Sequence, residues 1–202
     1  MPTFTSRGSP IAVKVMLFID AGYFLHWIEK LGIKKEQYDF GGFSLNISGR
    51  TGFPHLDTIH FIRTYYYDGL VDPKKTQQFN DQRMFHNYLN HIFNNFEVRT
   101  GLIVDQGTAV QKGVDSMLAF DMVSKAHSNQ FDVAILVAGD LDHLPAVKMV
   151  KDLGKEMYGV YYKESISKEL AREFDARCVL HLDNSAYKLS KPFFENYVKN
   201  NN

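Results

Sequence analysis

Short apolar runs alternate along this chain with segments whose apolar residues recur at helical spacing, and each kind of segment predicts one kind of element. Val13 to Ile19 reads as a buried-type strand. Ala21 to Leu31 follows as a helix, with Tyr23, Phe24, Trp27, Ile28 and Leu31 at helical spacing and Gly32 at its close. Thr58 to Tyr67, β-branched and aromatic and bounded by Asp68-Gly69, predicts a second strand. Pro73-Lys74-Lys75 opens a helix to about Phe93, through Phe79, Met84, Tyr88, Leu89 and Ile92. Phe96 to Val104 predicts a third strand, bent at Gly101, and a polar loop from Asp105 to Gly113 leads into a helix over Val114 to Ala126. Asp132 to Ala138 is the fourth strand, Leu144 to Leu153 a helix ended by Gly154, and Lys155 to Tyr161 the fifth strand. Ser167 to Phe174 predicts a short helix and Arg177 to Leu182 a last strand.

Strands that alternate with helices imply βαβ units and a mostly parallel sheet covered on both faces, so the expected fold is a three-layer α/β/α sandwich. One domain over residues 12–183 accounts for these elements, with residues 1–11 as a disordered lead. Between Lys34 and Phe53, Phe40, Phe43, Leu45 and Ile47 partly alternate among Gly and Ser, which predicts an extended flap or hairpin inserted in the domain. Residues 184–202 form a tail whose stretch Pro192 to Lys199 sets Phe193, Phe194, Tyr197 and Val198 on one side of a short helix. That helix can cap the core or bind a partner.

Composition narrows the function classes. The 202 residues are 45% hydrophobic, enough for one sizeable core, and Lys plus Arg equals Asp plus Glu at 23 each. A chain so balanced has no general basic field to hold duplex DNA. The single cysteine, Cys178, lies in an apolar strand segment and excludes a disulfide framework. MPTFTSRGSP does not read as a signal peptide, and no stretch is long and apolar enough to span a bilayer. A cytoplasmic setting is the expectation.

The acidic residues change the picture most. Two apolar runs end on aspartate: Val13 to Ile19 stops at Asp20, and Asp132 to Ala138 stops at Gly139-Asp140-Leu141-Asp142. If the two are neighbouring parallel strands, their carboxylates meet at the edge where open α/β sheets place functional groups. Carboxylates so crowded repel one another, and a hard divalent cation with oxygen ligands, Mg²⁺ or Mn²⁺, is the usual remedy. Asp20 and Asp142 can also serve simply as helix caps. Asp115, in Lys112-Gly113-Val114-Asp115, starts a helix and can reach the same edge. Asp121 lies six residues on, about 240° around the helix, so the two cannot share a face squarely. Asp121 then either orients water or a neighbouring side chain, or simply faces solvent.

Other signals rank lower. His86 and His91, and likewise His55 and His60, are five apart and lack the i, i+4 spacing of a zinc helix. His143, beside Asp142, is the exception, placed to contact phosphate or take a proton. Gly22 stands where a haloacid-dehalogenase-type phosphatase needs a second Asp, and neither a dinucleotide fingerprint nor a Walker motif occurs. Tyr65, Tyr66 and Tyr67 can stack on unpaired bases or pack on the two faces of a buried strand. Lys112, Arg63 and Arg83 are candidate phosphate partners.

The segments Phe18-Ile19-Asp20-Ala21-Gly22-Tyr23, Tyr66-Tyr67-Asp68-Gly69, Gln111-Lys112-Gly113-Val114-Asp115 with Asp121, and Ile135-Leu136-Val137-Ala138-Gly139-Asp140-Leu141-Asp142 with Lys151 to Lys155 occur in that order. Together they resemble the NYN domain, related to PIN-type nucleases, with the LabA-like branch most similar. The resemblance implies a PIN-like fold and a metal-dependent nuclease that hydrolyses RNA, with Asp20, Asp115, Asp140 and Asp142 around Mg²⁺ or Mn²⁺. Lys112 would offset phosphate charge, with Tyr23, Tyr67, Asp121 and His143 as further candidates around the substrate or the metal. Three positions depart from the family pattern: Tyr23 replaces an Asn, Ala138 a Ser, and His143 an aromatic residue. The first two remove polar groups beside the metal. They favour a second reading, a regulatory module that binds RNA or a protein partner, or pairs as a homodimer, without catalysis.

Overall fold

The first strand, β1 (Val13–Asp20), carries five consecutive buried residues, Val15 to Ile19. Side chains alternate between the faces of a strand, so an all-apolar run needs cover on both sides. The computed structural model, which describes residues 12–49, 58–92, 94–105 and 109–180, supplies that cover. Six parallel strands form the central sheet in the order β3-β2-β1-β6-β7-β8. The others are β2 (Ile59–Asp68), β3 (Phe96–Thr100), β6 (Val133–Val137), β7 (Glu156–Tyr162) and β8 (Ala176–Leu180).

One face is covered by α1 (Ala21–Lys30), α2 (Phe40–Ser48) and α3 (Thr76–Ile92), whose Phe24, Trp27, Phe40, Phe43, Phe85 and Leu89 pack on Val15, Leu17 and Ile19. The other face is covered by α4 (Val114–His127), α5 (Leu144–Asp152) and α6 (Lys168–Glu173), whose Leu118, Met122, Val147 and Leu170 pack on Met16, Phe18 and Leu136. The chain is thus a three-layer α/β/α sandwich with a PIN-like arrangement. No helix among the described residues is long and apolar enough to cross a membrane.

Two segments differ from expectation. Residues 34–53 are not an extended flap. A 3₁₀ turn over Lys35–Gln37 and the helix α2 occupy the described part, and residues 50–53 lie outside the described residues. Phe40, Phe43 and Ile47 are spaced for one helical face, and their burial against the core overrides the poor helix propensity of Gly41 and Gly42. Asp39 caps the helix, its Oδ1 accepting from Gly42 N–H at 2.8 Å. A Cβ at residue 42 would collide with that carboxylate, so this glycine makes room for the cap and does not break the helix.

The third strand also ends early. It leaves the sheet after Thr100, where Gly101 N–H donates to Asp68 O at 2.9 Å. Leu102–Asp105 (β4) then pairs antiparallel with Ala109–Lys112 (β5), so part of the expected polar loop is a separate hairpin. The lead at residues 1–11 and the tail at 184–202 lie outside the described residues.

Replacing Asp39 with Ala should remove the α2 cap and lower unfolding free energy by about 1 kcal/mol. Urea denaturation followed by tryptophan fluorescence would read this, since Trp27 packs beside Tyr38 in the same cluster. An unchanged midpoint would show that the cap contributes nothing.

Candidate metal centre

The sheet order reverses between β1 and β6: from β1 the chain goes on to β2 and β3 on one side, while β7 and β8 lie beyond β6 on the other. Ile19 pairs with Val137 at the carboxyl end of this junction, so the loops leaving both strands diverge and open a crevice there. Asp20 is the last residue of β1 and the N-cap of α1. Its Oδ1 accepts from Tyr23 N–H at 3.2 Å, while Oδ2 stands 3.7 Å from His143 Nε2. Capping and a role at the site are therefore compatible, one oxygen serving each.

Beyond β6, Asp140 caps the 3₁₀ turn Leu141–His143, its Oδ1 accepting from Asp142 N–H at 3.2 Å. That turn sends Asp140 and Asp142 outward and His143 inward, where it is only 1% exposed. Helix α4 starts from Gly113, whose left-handed φ of 89° suits a residue without Cβ, and brings Asp115 into its first turn. A carboxylate there also meets the positive end of the helix dipole.

Asp20, Asp115 and His143 each offer one ligand atom, and these atoms all lie within 4.8 Å of one another. Burial pushes the Asp115 pKa up, and the negative charges of Asp20, Asp140 and Asp142 push it further, against the opposing influence of His143. Asp140 and Asp142 stand outside the tight trio but close enough for their charge to be felt. The donor set of two carboxylates and an imidazole suits a divalent cation. His143 Nδ1, buried and without a hydrogen-bond partner among the described residues, adds an unsatisfied polar atom at this spot.

Asp20 also lines a cleft of about 650 Å³, with Tyr23, His26, Asp140, Glu164 and Ser165 among its other walls. Gly139 forms its tightest wall: a Cβ there would collide with the Ser165 carbonyl and the Tyr23 ring. Tyr23 is itself fixed, its hydroxyl accepting from Tyr162 N–H at 3.0 Å and its ring stacked on Tyr162. His26 was not singled out in the sequence, although its place three residues after Tyr23 on α1 put it on the same helix face. Glu164 and Ser165 come from a turn that no spacing announced.

Other expected site residues lie elsewhere. Asp121 is not beside Asp115 but beneath the sheet edge, where Tyr67 Oη donates to it at 2.9 Å and the Arg99 guanidinium pairs with it. Tyr65, Tyr66 and Tyr67 are 4%, 0% and 0% exposed, so none can stack on a base; they pack alternately on the two faces of β2. Arg63 pairs with Glu97 at 2.6 Å, and Arg83 lies over the Phe79 ring. Lys112 ends β5, and its side chain lies outside the described residues.

A family model of the NYN domain matches residues 14–181, which spans every strand of the sheet. The chain belongs to the NYN domain family. That family consists of PIN-like nucleases, generally dependent on divalent metals, and suggests nucleic acid as the partner. No curated protein matches the chain. Among solved structures, a Vibrio parahaemolyticus protein of unknown function is similar at 17% identity and a TM-score of 0.64, over 90% of this chain and 99% of that one. At that identity the likeness shows the fold alone. The C-terminal domain of a Pyrococcus furiosus hydrogenase, at 12% identity, 75% and 97% coverage and a TM-score of 0.35, is more distant. So is a de novo designed P-loop NTPase fold, at 14% identity, 93% and 90% coverage and 0.36.

The raised Asp115 pKa has a sign that can be tested in this NYN domain. The folded state holds that proton more tightly than the unfolded chain, so the contribution is neutral below the unfolded pKa, about 3.9. Stability is then lost as pH rises through the folded pKa. In EDTA, Asp115→Asn should melt higher than wild type at neutral pH, and the gap should close toward about pH 4. Equal melting temperatures across that range would mean that the carboxylates do not strain one another.

Proposed function

We propose that the protein is a metal-dependent endoribonuclease that cuts single-stranded or looped RNA. The observation that carries this reading is the meeting of Asp20, Asp115 and His143 at the strand-order reversal, with Asp140 on the neighbouring cleft and the charges of Asp140 and Asp142 felt at Asp115. Asp20 and Asp115 would hold Mg²⁺ or Mn²⁺, with Asp140 and Asp142 adding charge from the rim. Such an ion supplies an activated water and neutralises charge developing on the phosphate. The protein's own part is to fix its carboxylates before the ion arrives: Asp20 through the α1 cap, Asp140 through its 3₁₀ turn and Asp115 through α4.

Charge supports a flexible single strand over duplex DNA. The chain has no net charge, and affinity for long duplexes comes mostly from neutralising phosphates. The buried tyrosines of β2 take no part, so bases would be contacted by the cleft walls. A non-catalytic RNA-binding or protein-binding module remains the second reading, favoured by Tyr23, whose hydroxyl is committed to the Tyr162 backbone.

Single-stranded RNA, hairpin RNA, single-stranded DNA and duplex DNA should be incubated with the protein in Mg²⁺, Mn²⁺ or EDTA. Cleavage of the RNA substrates that EDTA abolishes, with a shallow salt dependence, is the expected result. Asp20→Asn should lower the rate on the order of 100-fold or more while keeping the fold, because Asn caps a helix as well as Asp does. Full activity of that variant, or activity in EDTA, would sink the mechanism. Binding of RNA without cleavage would support the second reading.

A further inference from the structure

The imidazole of His143 is unlike every other candidate ligand at the site. It is 1% exposed, whereas Asp115 is exposed and Asp20 half-buried. Its Nδ1 has no hydrogen-bond partner among the described residues. Its Nε2 faces Asp20 Oδ2 at 3.7 Å, too long for a hydrogen bond. Buried polar groups in folded proteins are almost always satisfied. Nδ1 is the unsatisfied atom of this deeply placed ring, and Nε2, which faces Asp20 without a hydrogen bond to it, is the nitrogen placed to give a lone pair.

Distances agree with that use. Two donors about 2.1 Å from one ion at a tetrahedral angle lie about 3.4 Å apart. The Asp20 to His143 separation of 3.7 Å is within about 0.3 Å of this, and the widest spacing in the trio, bounded at 4.8 Å, needs a closure of at most about 1.4 Å. Asp115, exposed at the start of α4, supplies that closure by a χ rotation while the Asp20 cap stays in place.

Donor type then decides which ion is favoured. Mg²⁺ prefers oxygen donors and keeps several waters, whereas imidazole nitrogen suits first-row transition ions, whose affinity for N/O sites rises from Mn²⁺ through Fe²⁺ to Co²⁺. We propose that His143 Nε2 is a direct ligand in this centre, and that it makes the site select a transition-metal dication over Mg²⁺. The inference rests on the reading of Asp20 and Asp115 as metal ligands. It adds a nitrogen donor and an order of preference that carboxylates alone would not set.

The test uses the full chain. Purified protein loaded with one equivalent of Mn²⁺ should show ¹⁴N modulation of the electron spin echo from a directly bound imidazole. Titration calorimetry should give Mn²⁺ and Co²⁺ affinities at least about tenfold above that of Mg²⁺. His143→Gln replaces the nitrogen by a neutral oxygen donor of similar reach. It should lose the ¹⁴N signal and weaken Co²⁺ on the order of 10 to 100-fold, with Mg²⁺ changed less than about threefold. Stoichiometric Mn²⁺ binding to wild type without ¹⁴N coupling would overturn the role of His143 and leave the carboxylate site standing. Selectivity retained in His143→Gln would overturn it equally. Failure of any dication to bind wild type would overturn the metal-centre reading itself, and this inference with it. Should His143→Gln not fold, the wild-type echo experiment decides alone.

Discussion

Parallel pairing of β1 with β6 is the constraint on which the rest of the molecule depends. Neither strand has a polar face to offer water, so both must lie in the middle of the sheet with helices on each side. Once they are adjacent and parallel, Asp20 and Gly139-Asp140 leave the sheet at the same end. The functional end of the molecule is thus chosen by hydrophobic burial. The crowding of acids there is a by-product of topology that local devices make tolerable.

Those devices are ordinary ones put to double use. Asp20 and Asp140 each spend one oxygen on a nearby backbone N–H, which holds the carboxylate in one rotamer and spreads part of its charge. Asp115 has the helix dipole in place of such a bond. Burial first and the neighbouring carboxylates second raise its pKa, and the repulsive part is what an incoming cation would relieve. Fold stability and cation affinity are therefore opposed at Asp115 and reinforce one another at the two caps.

Much of this was legible in the sequence, for reasons that also explain the gaps. The strands and the helices that follow them have strong periodicity, and the strand-to-Asp transitions mark the sheet edge without coordinates. Residues 40–48 misled because glycine and serine usually signal loops. Only the packing of Phe40, Phe43 and Ile47 and the Asp39 cap reveal the helix. Residues 65–67 offered three tyrosines at an apparent binding edge, and the cover that buries them comes from distant parts of the chain. The offset of about 240° between Asp115 and Asp121 was readable from helix geometry, but the Arg99 partner of Asp121 was not, since it arrives from β3. His143 was noticed for its neighbour in sequence. Its depth depends on how the 3₁₀ turn faces, which no periodicity records.

Helix α4 carries Asp115 at one level and Asp121 at another, six residues and about 9 Å apart along the axis. The lower point is clamped to two other strands through Tyr67 and Arg99. Pivoting about that clamp by about 5° would swing the upper carboxylate by roughly 0.8 Å, whereas metal–ligand distances hold to about 0.2 Å. A helix tilt beyond about one degree must then be taken up by a χ rotation of Asp115. The hydrogen-bonded tripod of Tyr67, Arg99 and Asp121, none of which lines the cleft, thereby sets the direction of the helix that carries Asp115.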